Sequence, residues 1–240
     1  MSVLECSLSN FPISNYNLLC KDKLVIAIDT LRATSCIVTA LANGAKYIIP
    51  ASSIEDAKYI KASLTIPSLL CGEENCIKID GFDFGNSPFD FSIENVSGKV
   101  ILMKTTNGTN LLNKSIGSNK VICGSILNIN AIVKFVQNQN SNVLFSCAGT
   151  NGEVSLEDNI TAGFIFKELL KSKNVVTYDS SLLNSVVSTS IAEADIFSFI
   201  SLSQHAQKLI NLGFNEDVKF CAQNNLFDIV PFYSKGIIRL

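Results

Sequence analysis

Short apolar runs alternate with stretches of helical length along most of the chain, a pattern that predicts βαβ units and a mostly parallel sheet. Residues 24–28 form an apolar run that ends at Asp29. Residues 33–43 follow with helical character as far as Gly44, a natural C-cap. A second short strand is predicted over 47–49. A helix follows over 54–63, with Ser52 or Ser53 as its cap and Glu55 and Asp56 in its first turn. Residues 69–71 predict a third strand. Residues 79–88 hold two glycines, two aspartates, an asparagine and a proline, the composition of a loop. Further strands are predicted over 100–103, 121–123 and 143–146, and helices over 130–137 and 156–170. Residues 179–212 are helical in pattern with no clear strand, and 226–240 carries two short β-like pieces around Pro231. The expected fold is α/β: a mostly parallel sheet flanked by helices, with a helix-rich C-terminal half. Residues 1–240 read as one unit, with a subdivision near 150–180 as the alternative.

Composition narrows what such a fold does. At 240 residues the chain can bury roughly 70–75% of its unfolded surface, so neither a disulfide nor a metal is needed merely to fold. Its 47% hydrophobic content and mean hydropathy of +0.30 call for a large core, with an apolar oligomer interface accounting for any excess. A net charge of −2 argues against a nucleic-acid or anionic-membrane surface. No apolar run approaches the ~20 residues that span a bilayer, and the first ten residues lack the pattern of a signal peptide. The expected location is the cytoplasm. The 8 cysteines are scattered without a Cys-x-x-Cys pair, so they are expected to be reduced, buried, small hydrophobes. Only two of the 19 basic residues are arginines, Arg32 and Arg239, which makes an arginine in a strand-to-helix turn informative.

That turn is the first candidate for chemistry: Asp29-Thr30-Leu31-Arg32-Ala33-Thr34-Ser35. Ligands of open α/β sheets bind at the carboxyl ends of strands, and a helix N-terminus suits phosphate. Arg32 offers a two-pronged contact to phosphate oxygens, Thr34 and Ser35 offer hydroxyls, and Asp29 suits a metal that holds phosphate. The competing structural reading makes Asp29 a helix cap and puts Arg32 in a surface salt bridge. The segment is not a P-loop, because Gly-x-x-x-x-Gly-Lys is absent. It is not the haloacid-dehalogenase motif either, because Leu31 stands where a second aspartate is needed. The second candidate runs from Gly72-Glu73-Glu74 to Gly81-Phe82-Asp83-Phe84-Gly85-Asn86-Ser87-Pro88, whose carboxylates and amide oxygens suit Mg²⁺. The third is Thr105-Thr106-Asn107-Gly108-Thr109, a nest of backbone N–H groups with hydroxyls nearby. For both, an ordinary turn is the competing reading. The fourth is Glu157-Asp158, carboxylates that serve the helix dipole unless the fold brings them to the other loops. His205, the one histidine, reads as structural, and Phe164, Phe166, Phe197 and Phe199 as core.

In this order and spacing the segments resemble the 2-phosphosulfolactate phosphatase family. The shared residues begin with Ile28-Asp29-x-Leu31-Arg32-Ala33-Thr34-Ser35 and Thr39-Ala40-Leu41-Ala42-Asn43-Gly44-Ala45. They continue with Gly72-Glu73, Lys78-Ile79-x-Gly81 to Pro88, Thr105 to Thr109, Ala148-Gly149 and Glu157-Asp158. A weaker match covers Ser203-x-His205, Leu209 and Gly213. The resemblance implies an α/β, Mg²⁺-dependent enzyme of coenzyme M biosynthesis. It also implies a small anionic phosphorylated substrate and a homo-oligomer. It places Asp29, Arg32, Glu73, Asp83, Asn86, Asn107 and Asp158 near one site. On that basis Asp29, Glu73, Asp83 and Asp158 are the expected metal ligands. Asp29, Arg32 and Asn107 are the expected catalytic residues. Thr34, Ser35, Asn86, Thr106, Gly108 and Thr109 are expected to bind substrate.

The sequence departs from the family's pattern at Glu74, at Asn110 and at Ala206-Gln207. Glu74 and Asn110 stand where arginines usually follow Gly72-Glu73 and Thr109, and Ala206-Gln207 stands where glycine and arginine are common. Each charge-assisted anion contact is worth ~1.5–3 kcal/mol, so recognition of the acidic tail is expected to be altered or weakened. Lys78, Lys99 and Lys104 are the expected partial substitutes. The alternatives are a phosphatase of the same fold acting on a less anionic phosphorylated hydroxy acid, and an anion-binding relative without turnover.

Overall fold

In the computed structural model, which describes residues 4–10, 15–115, 118–150, 152–171 and 175–240, the elements follow the apolar pattern closely. The strands are β1 (Leu4–Asn10), β2 (Leu24–Ile28), β3 (Tyr47–Pro50), β4 (Ser68–Glu74), β5 (Ile77–Lys78) and β6 (Val100–Lys104). They continue with β7 (Lys120–Gly124), β8 (Val143–Cys147), β9 (Val175–Tyr178), β10 (Phe232–Ser234) and β11 (Ile237–Arg239). The helices are α1 (Tyr16–Cys20), α2 (Ala33–Ala42), α3 (Ile54–Ser63), α4 (Ile93–Val96), α5 (Gly108–Lys114) and α6 (Ile129–Gln137). After them come α7 (Leu156–Leu170), α8 (Ser180–Ala192), α9 (Ile196–Ile200), α10 (Gln204–Asn211) and α11 (Asn215–Cys221). Helix α3 has the predicted bounds, and of its two candidate caps Ser53 is the one used, its hydroxyl accepting from Asp56 N at 3.0 Å.

Strands β1 and β9 have no forerunner in the sequence reading. Polar residues interrupt β1, and β9 has four residues, so neither gives a period long enough to detect. The two C-terminal strands both follow Pro231 rather than flanking it. All eight cysteines are buried and none forms a disulfide, as expected.

The sheet order is β5-β4-β6-β3-β11-β10-β7-β2-β8-β1-β9. Parallel pairings join β4-β6-β3 on one side and β7-β2-β8-β1-β9 on the other, so the sheet is mostly parallel. The hairpin β10–β11 joins the two blocks through antiparallel pairings on each side and within itself. Three reversals in a row leave the two blocks running in opposite directions. In a flat sheet β6 and β2, five spacings apart, would be separated by ~24 Å with their carboxyl ends at opposite edges. Twist of ~20–25° per strand pair accumulates to roughly 100° or more across that span. The curl brings both carboxyl ends to one place.

Helix α2 explains why the curl is stable. Its sequence, ATSCIVTALA, is apolar or small on every side, which suits a helix with no solvent face. Residues 33–41 are all buried, and Cys36, Ile37, Ala40 and Leu41 pack in one cluster with Val25, Ala27 and Val121 of one block and Ile48, Ile101 and Met103 of the other. The sheet thus wraps α2. On the other face of β2, Leu24, Ile26 and Ile28 pack against Ile132, Val136, Ile165 and Leu169 of α6 and α7. That alternation is the period-two rule of strands acting on a strand buried on both faces.

Helices α7 and α8 approach closely at Gly163, where an added Cβ would fall on the Ser185 carbonyl and the Thr189 hydroxyl. Gly163→Ala is expected to cost ~1–3 kcal/mol by overpacking. That is a drop of roughly 2–12 °C in melting temperature for a chain of this size, read by calorimetry.

Among the described residues, no helix is long and apolar enough to cross a membrane.

Candidate active site

The carboxyl ends of β2, β4 and β6, with helix α10 beside them, enclose a cavity of about 150 Å³. Of the residues singled out from sequence, Asp29, Arg32, Glu73, Asn86, Thr106 and Asn107 line it. Most are placed by strand ends, and Asn86 comes from the loop after β5. Asp29 follows β2, Glu73 sits near the end of β4, and Asn107 leads from β6 into α5. Beyond the predicted third strand, β4 runs on into a hairpin with β5, so Glu73 is a strand residue rather than a loop one.

Asp29 is buried and serves as both cap and site residue. Its Oδ1 accepts from Ala33 N at 3.2 Å, and its carbonyl accepts from Thr34 N at 2.9 Å. The first N–H groups of α2 are therefore already used, which removes them as the expected phosphate cradle. Burial, and then the Glu73 and Glu157 carboxylates, push the Asp29 carboxyl up to about 7, against the lowering pull of Ala33 N–H and Arg32. Gly108 approaches it so closely that an added Cβ would lie 2.8 Å from Asp29 Oδ2 and 2.7 Å from Ala33 Cβ. Gly108 thus shapes the wall behind Asp29 and does not contact the cavity itself.

Glu73 is held from two sides. Its Oε1 accepts from Thr106 N at 2.8 Å and its Oε2 from Cys76 N at 2.7 Å. The second bond spans the two-residue turn Asn75-Cys76, where both φ values are positive (54° and 74°), the pattern of a tight hairpin. Each oxygen keeps a second lone pair for a ligand.

Arg32 is buried, and its guanidinium is fixed by three partners. Nη1 donates to Asp217 at 2.5 Å, Nη2 donates to the Cys76 carbonyl at 3.0 Å, and the group lies 4.4 Å from the Phe214 ring centroid. This salt bridge is interior, not on the surface. Burial raises the Asp217 carboxyl, outweighing the hydrogen bonds from Arg32 and Ser87.

Six sequence-predicted residues do not line the cavity. Thr34 Oγ1 donates to the Asp29 carbonyl at 2.9 Å, and Ser35 Oγ donates to the Thr30 carbonyl at 2.8 Å, so both hydroxyls hold the β2–α2 turn. Thr109 Oγ1 is taken by Thr105, and Gly108 forms the wall described above. Asp83 lines not this cavity but a neighbouring one that shares Arg32, Cys76 and Asn86 with it, and its Oδ2 accepts from Lys61 Nζ and from Leu70 N, each at 2.7 Å. Asp158 is buried and ties two strand ends together, accepting from Thr30 N at 2.8 Å and Gly149 N at 3.2 Å. Burial and the Asp29 and Glu157 charges push its carboxyl well above the usual range. The departures from the family pattern also look different in three dimensions. Glu74 points away from the cavity, as alternation after Glu73 requires, and pairs with Lys104. The Asn110 side chain lies outside the described residues. Lys78, Lys99 and Lys104 do not line the cavity, Lys99 donating instead to the Asn95 carbonyl.

The sequence reading missed the contribution of α10, which sends Gln204, His205 and Lys208 to the cavity. His205 hydrogen bonds to the Leu31 carbonyl. Burial lowers its pKa more than that bond and the neighbouring carboxylates raise it. The spacing 204, 205, 208 is one helical face, a signal present in the sequence but without acidic or glycine-rich neighbours to draw notice. Glu157 lines a second cavity of about 480 Å³ that shares Thr150, Gln204 and His205 with the first, and its Oε2 is buried without a hydrogen-bond partner.

The donor set fits a hard divalent cation. Asn86 Oδ1 is likewise buried and unpartnered, and oxygen atoms from one or two carboxylates with several waters are what Mg²⁺ takes. Among the described residues, no group of three or more His, Cys, Asp or Glu side chains is arranged to hold a metal unaided. Of the four acids expected to hold the metal, Asp29 and Glu73 line the cavity, and Asp83 and Asp158 do not.

Comparison with known proteins identifies the family. The profile described as 2-phosphosulpholactate phosphatase matches residues 14–236. A protein of Clostridium perfringens named as a probable 2-phosphosulfolactate phosphatase is 44% identical over 223 residues, covering 91% of this chain and 89% of its own. Relatives with the same name from Caldanaerobacter subterraneus (40% over 222 residues, 91% of each chain) and Thermotoga maritima (40% over 218 residues, 91% and 92%) are similar throughout. The chain belongs to the 2-phosphosulfolactate phosphatase family of phosphoric monoester hydrolases.

Proposed function

We propose that the chain is a Mg²⁺-dependent phosphatase that hydrolyses 2-phosphosulfolactate to 3-sulfolactate and inorganic phosphate. The observation that carries this reading is one cavity in which the Asp29 and Glu73 carboxylates face a fixed arginine. Phosphoryl transfer needs positioning and charge neutralisation more than covalent help. Asp29 and Glu73 would hold the cation. When bound, Mg²⁺ supplies charge neutralisation at the phosphoryl oxygens and polarisation of the attacking water.

The chain's own residues do the rest. Glu73 keeps one orientation because two backbone N–H groups hold it. Asp29 Oδ1 is anchored at the α2 N-terminus, leaving Oδ2 for the site. Arg32 presents a positive charge that needs no reorganisation during the reaction, because Asp217, Cys76 and Phe214 set its position beforehand. Asn107 makes no side-chain capping bond, so its amide is available to a phosphoryl oxygen.

The pH dependence of metal binding follows from Asp29. Its folded-state pKa, raised to about 7 from 3.8, means that the ionised form is disfavoured in the metal-free protein. Stability is then lost as pH rises through that window, and a cation that binds the ionised form restores it. Addition of Mg²⁺ is expected to raise the melting temperature more at pH 8 than at pH 6. An equal shift at both values would contradict the place of Asp29 in the metal site.

A substrate panel tests the function. Phosphate release is measured on 2-phosphosulfolactate, 2-phospholactate and an aryl phosphate. Preference for 2-phosphosulfolactate is expected. Release from only the less anionic compounds would instead favour a shifted specificity.

A further inference from the structure

We infer that Lys208 is the residue that selects the sulfonate of the substrate, a role that rests on the phosphatase reading of the cavity. Two cations line the cavity, and they differ in how they are held. Arg32 is buried and held by Asp217 and the Cys76 carbonyl, with further N–H donors left for a ligand. Lys208 is exposed and takes part in no ion pair among the described residues. An exposed lysine at a cavity, with no ion-pair partner among the described residues, is placed to meet an anionic ligand.

Cys76 also fixes the spacing of the two charges. Its carbonyl accepts from Arg32, and it lines the cavity together with Lys208, so both cations lie beside a single residue. That residue is locked in the hairpin turn after Glu73 with φ 74° and its N–H on Glu73 Oε2. The turn therefore sets the metal-binding carboxylate, the fixed arginine and the free lysine relative to one another. A ligand with two anionic groups a few bonds apart matches this arrangement: one group at Asp29, Glu73 and Arg32, the other at Lys208.

The chemistry of the cation indicates which group it takes. A planar carboxylate is best matched by the fork of an arginine, whereas an ammonium is a compact charge with three donors. A tetrahedral sulfonate presents three equivalent oxygens and asks for no planar fork. It is also the substrate's anionic group farthest along the carbon chain from the phosphate-bearing carbon, as Lys208 is the exposed cation at the cavity rim and Arg32 the buried one. Glu74 points away from the cavity and pairs with Lys104, so Lys208 on α10 is the exposed cation placed to meet this group.

The test uses the full chain with Lys208→Gln and Lys208→Arg, measuring kcat and KM on 2-phosphosulfolactate and on 2-phospholactate, which lacks the sulfonate. Binding of 3-sulfolactate and of lactate is measured in parallel by calorimetry. For K208Q the expected result is a roughly 10- to 150-fold rise in KM for 2-phosphosulfolactate, a change below about threefold for 2-phospholactate, and substantial rescue by K208R. Equal losses on both substrates, or no loss on either, would overturn the assignment. If the wild-type protein releases phosphate from neither compound, the phosphatase reading fails by itself. The binding arm then decides Lys208: weaker 3-sulfolactate binding in K208Q supports it, and unchanged or absent binding overturns it.

Discussion

Replacing Asp29 with asparagine is expected to lower kcat for phosphate release by roughly 10²–10⁴-fold, the range for removal of a group acting at the reacting centre. The protein should nevertheless stay folded. The asparagine Oδ1 can still accept from Ala33 N, and the cost of burying a charge beside Glu73 and Glu157 disappears. The melting temperature of D29N at pH 8 without metal should therefore equal or exceed that of the wild type, and its response to Mg²⁺ should shrink. A stable variant with low turnover places Asp29 in the chemistry. A stable variant with full turnover would remove it from any role as base, nucleophile or essential ligand. Collapse of the fold would instead support the purely structural reading as a cap.

Arg32→Met is the second large effect, and it should strike stability and activity together. The substitution leaves Asp217 in the interior with only Ser87 Oγ at 2.8 Å as a side-chain partner. Breaking one side of a buried ion pair costs ~3–5 kcal/mol, or roughly 6–20 °C in melting temperature for a chain of this length. Loss of a preorganised charge at the transferring group costs a further ~10²–10³ in kcat. The double variant Arg32→Met with Asp217→Leu separates the two. Removal of the stranded carboxylate should recover much of the stability and none of the activity. Recovery of both would mean that Arg32 acts only by holding Asp217 and the loops around it.

Much of this arrangement was legible in the sequence, for physical reasons that differ by residue. Asp29 and Arg32 could be found because a strand end followed by a helix start is a local signal, and Leu24 to Ile28 marks the strand by itself. Glu73 was found from its glycine neighbour, although its two backbone partners, one in the hairpin turn and one beyond β6, were not visible. The loop of Asp83, rich in Gly, Asp and Asn, reads alike whether it binds a ligand or a lysine, and in the structure Asp83 pairs with Lys61. Lys61 lies on α3, which the sequence does not place beside that loop. Asp158 comes close enough to Asp29 for that charge to raise its carboxyl, without lining the cavity. Its task proved to be joining Thr30 and Gly149, which depends on the pairing of β2 with β8. His205 and Lys208 were hidden because α10 reaches the cavity only through tertiary packing, with no loop motif around it. The curl of the sheet was equally hidden, since it depends on where a three-residue hairpin strand pairs more than 180 residues after β3.

The measurement that bears most directly on the central claim is phosphate release from 2-phosphosulfolactate by the purified wild-type chain in Mg²⁺ and again after chelation, with D29N alongside. The account predicts release in Mg²⁺, its loss on chelation with recovery when Mg²⁺ is restored, and little release from D29N under either condition. Release that survives chelation and the Asp29 substitution would contradict it. So would a wild-type protein that binds 3-sulfolactate and liberates no phosphate.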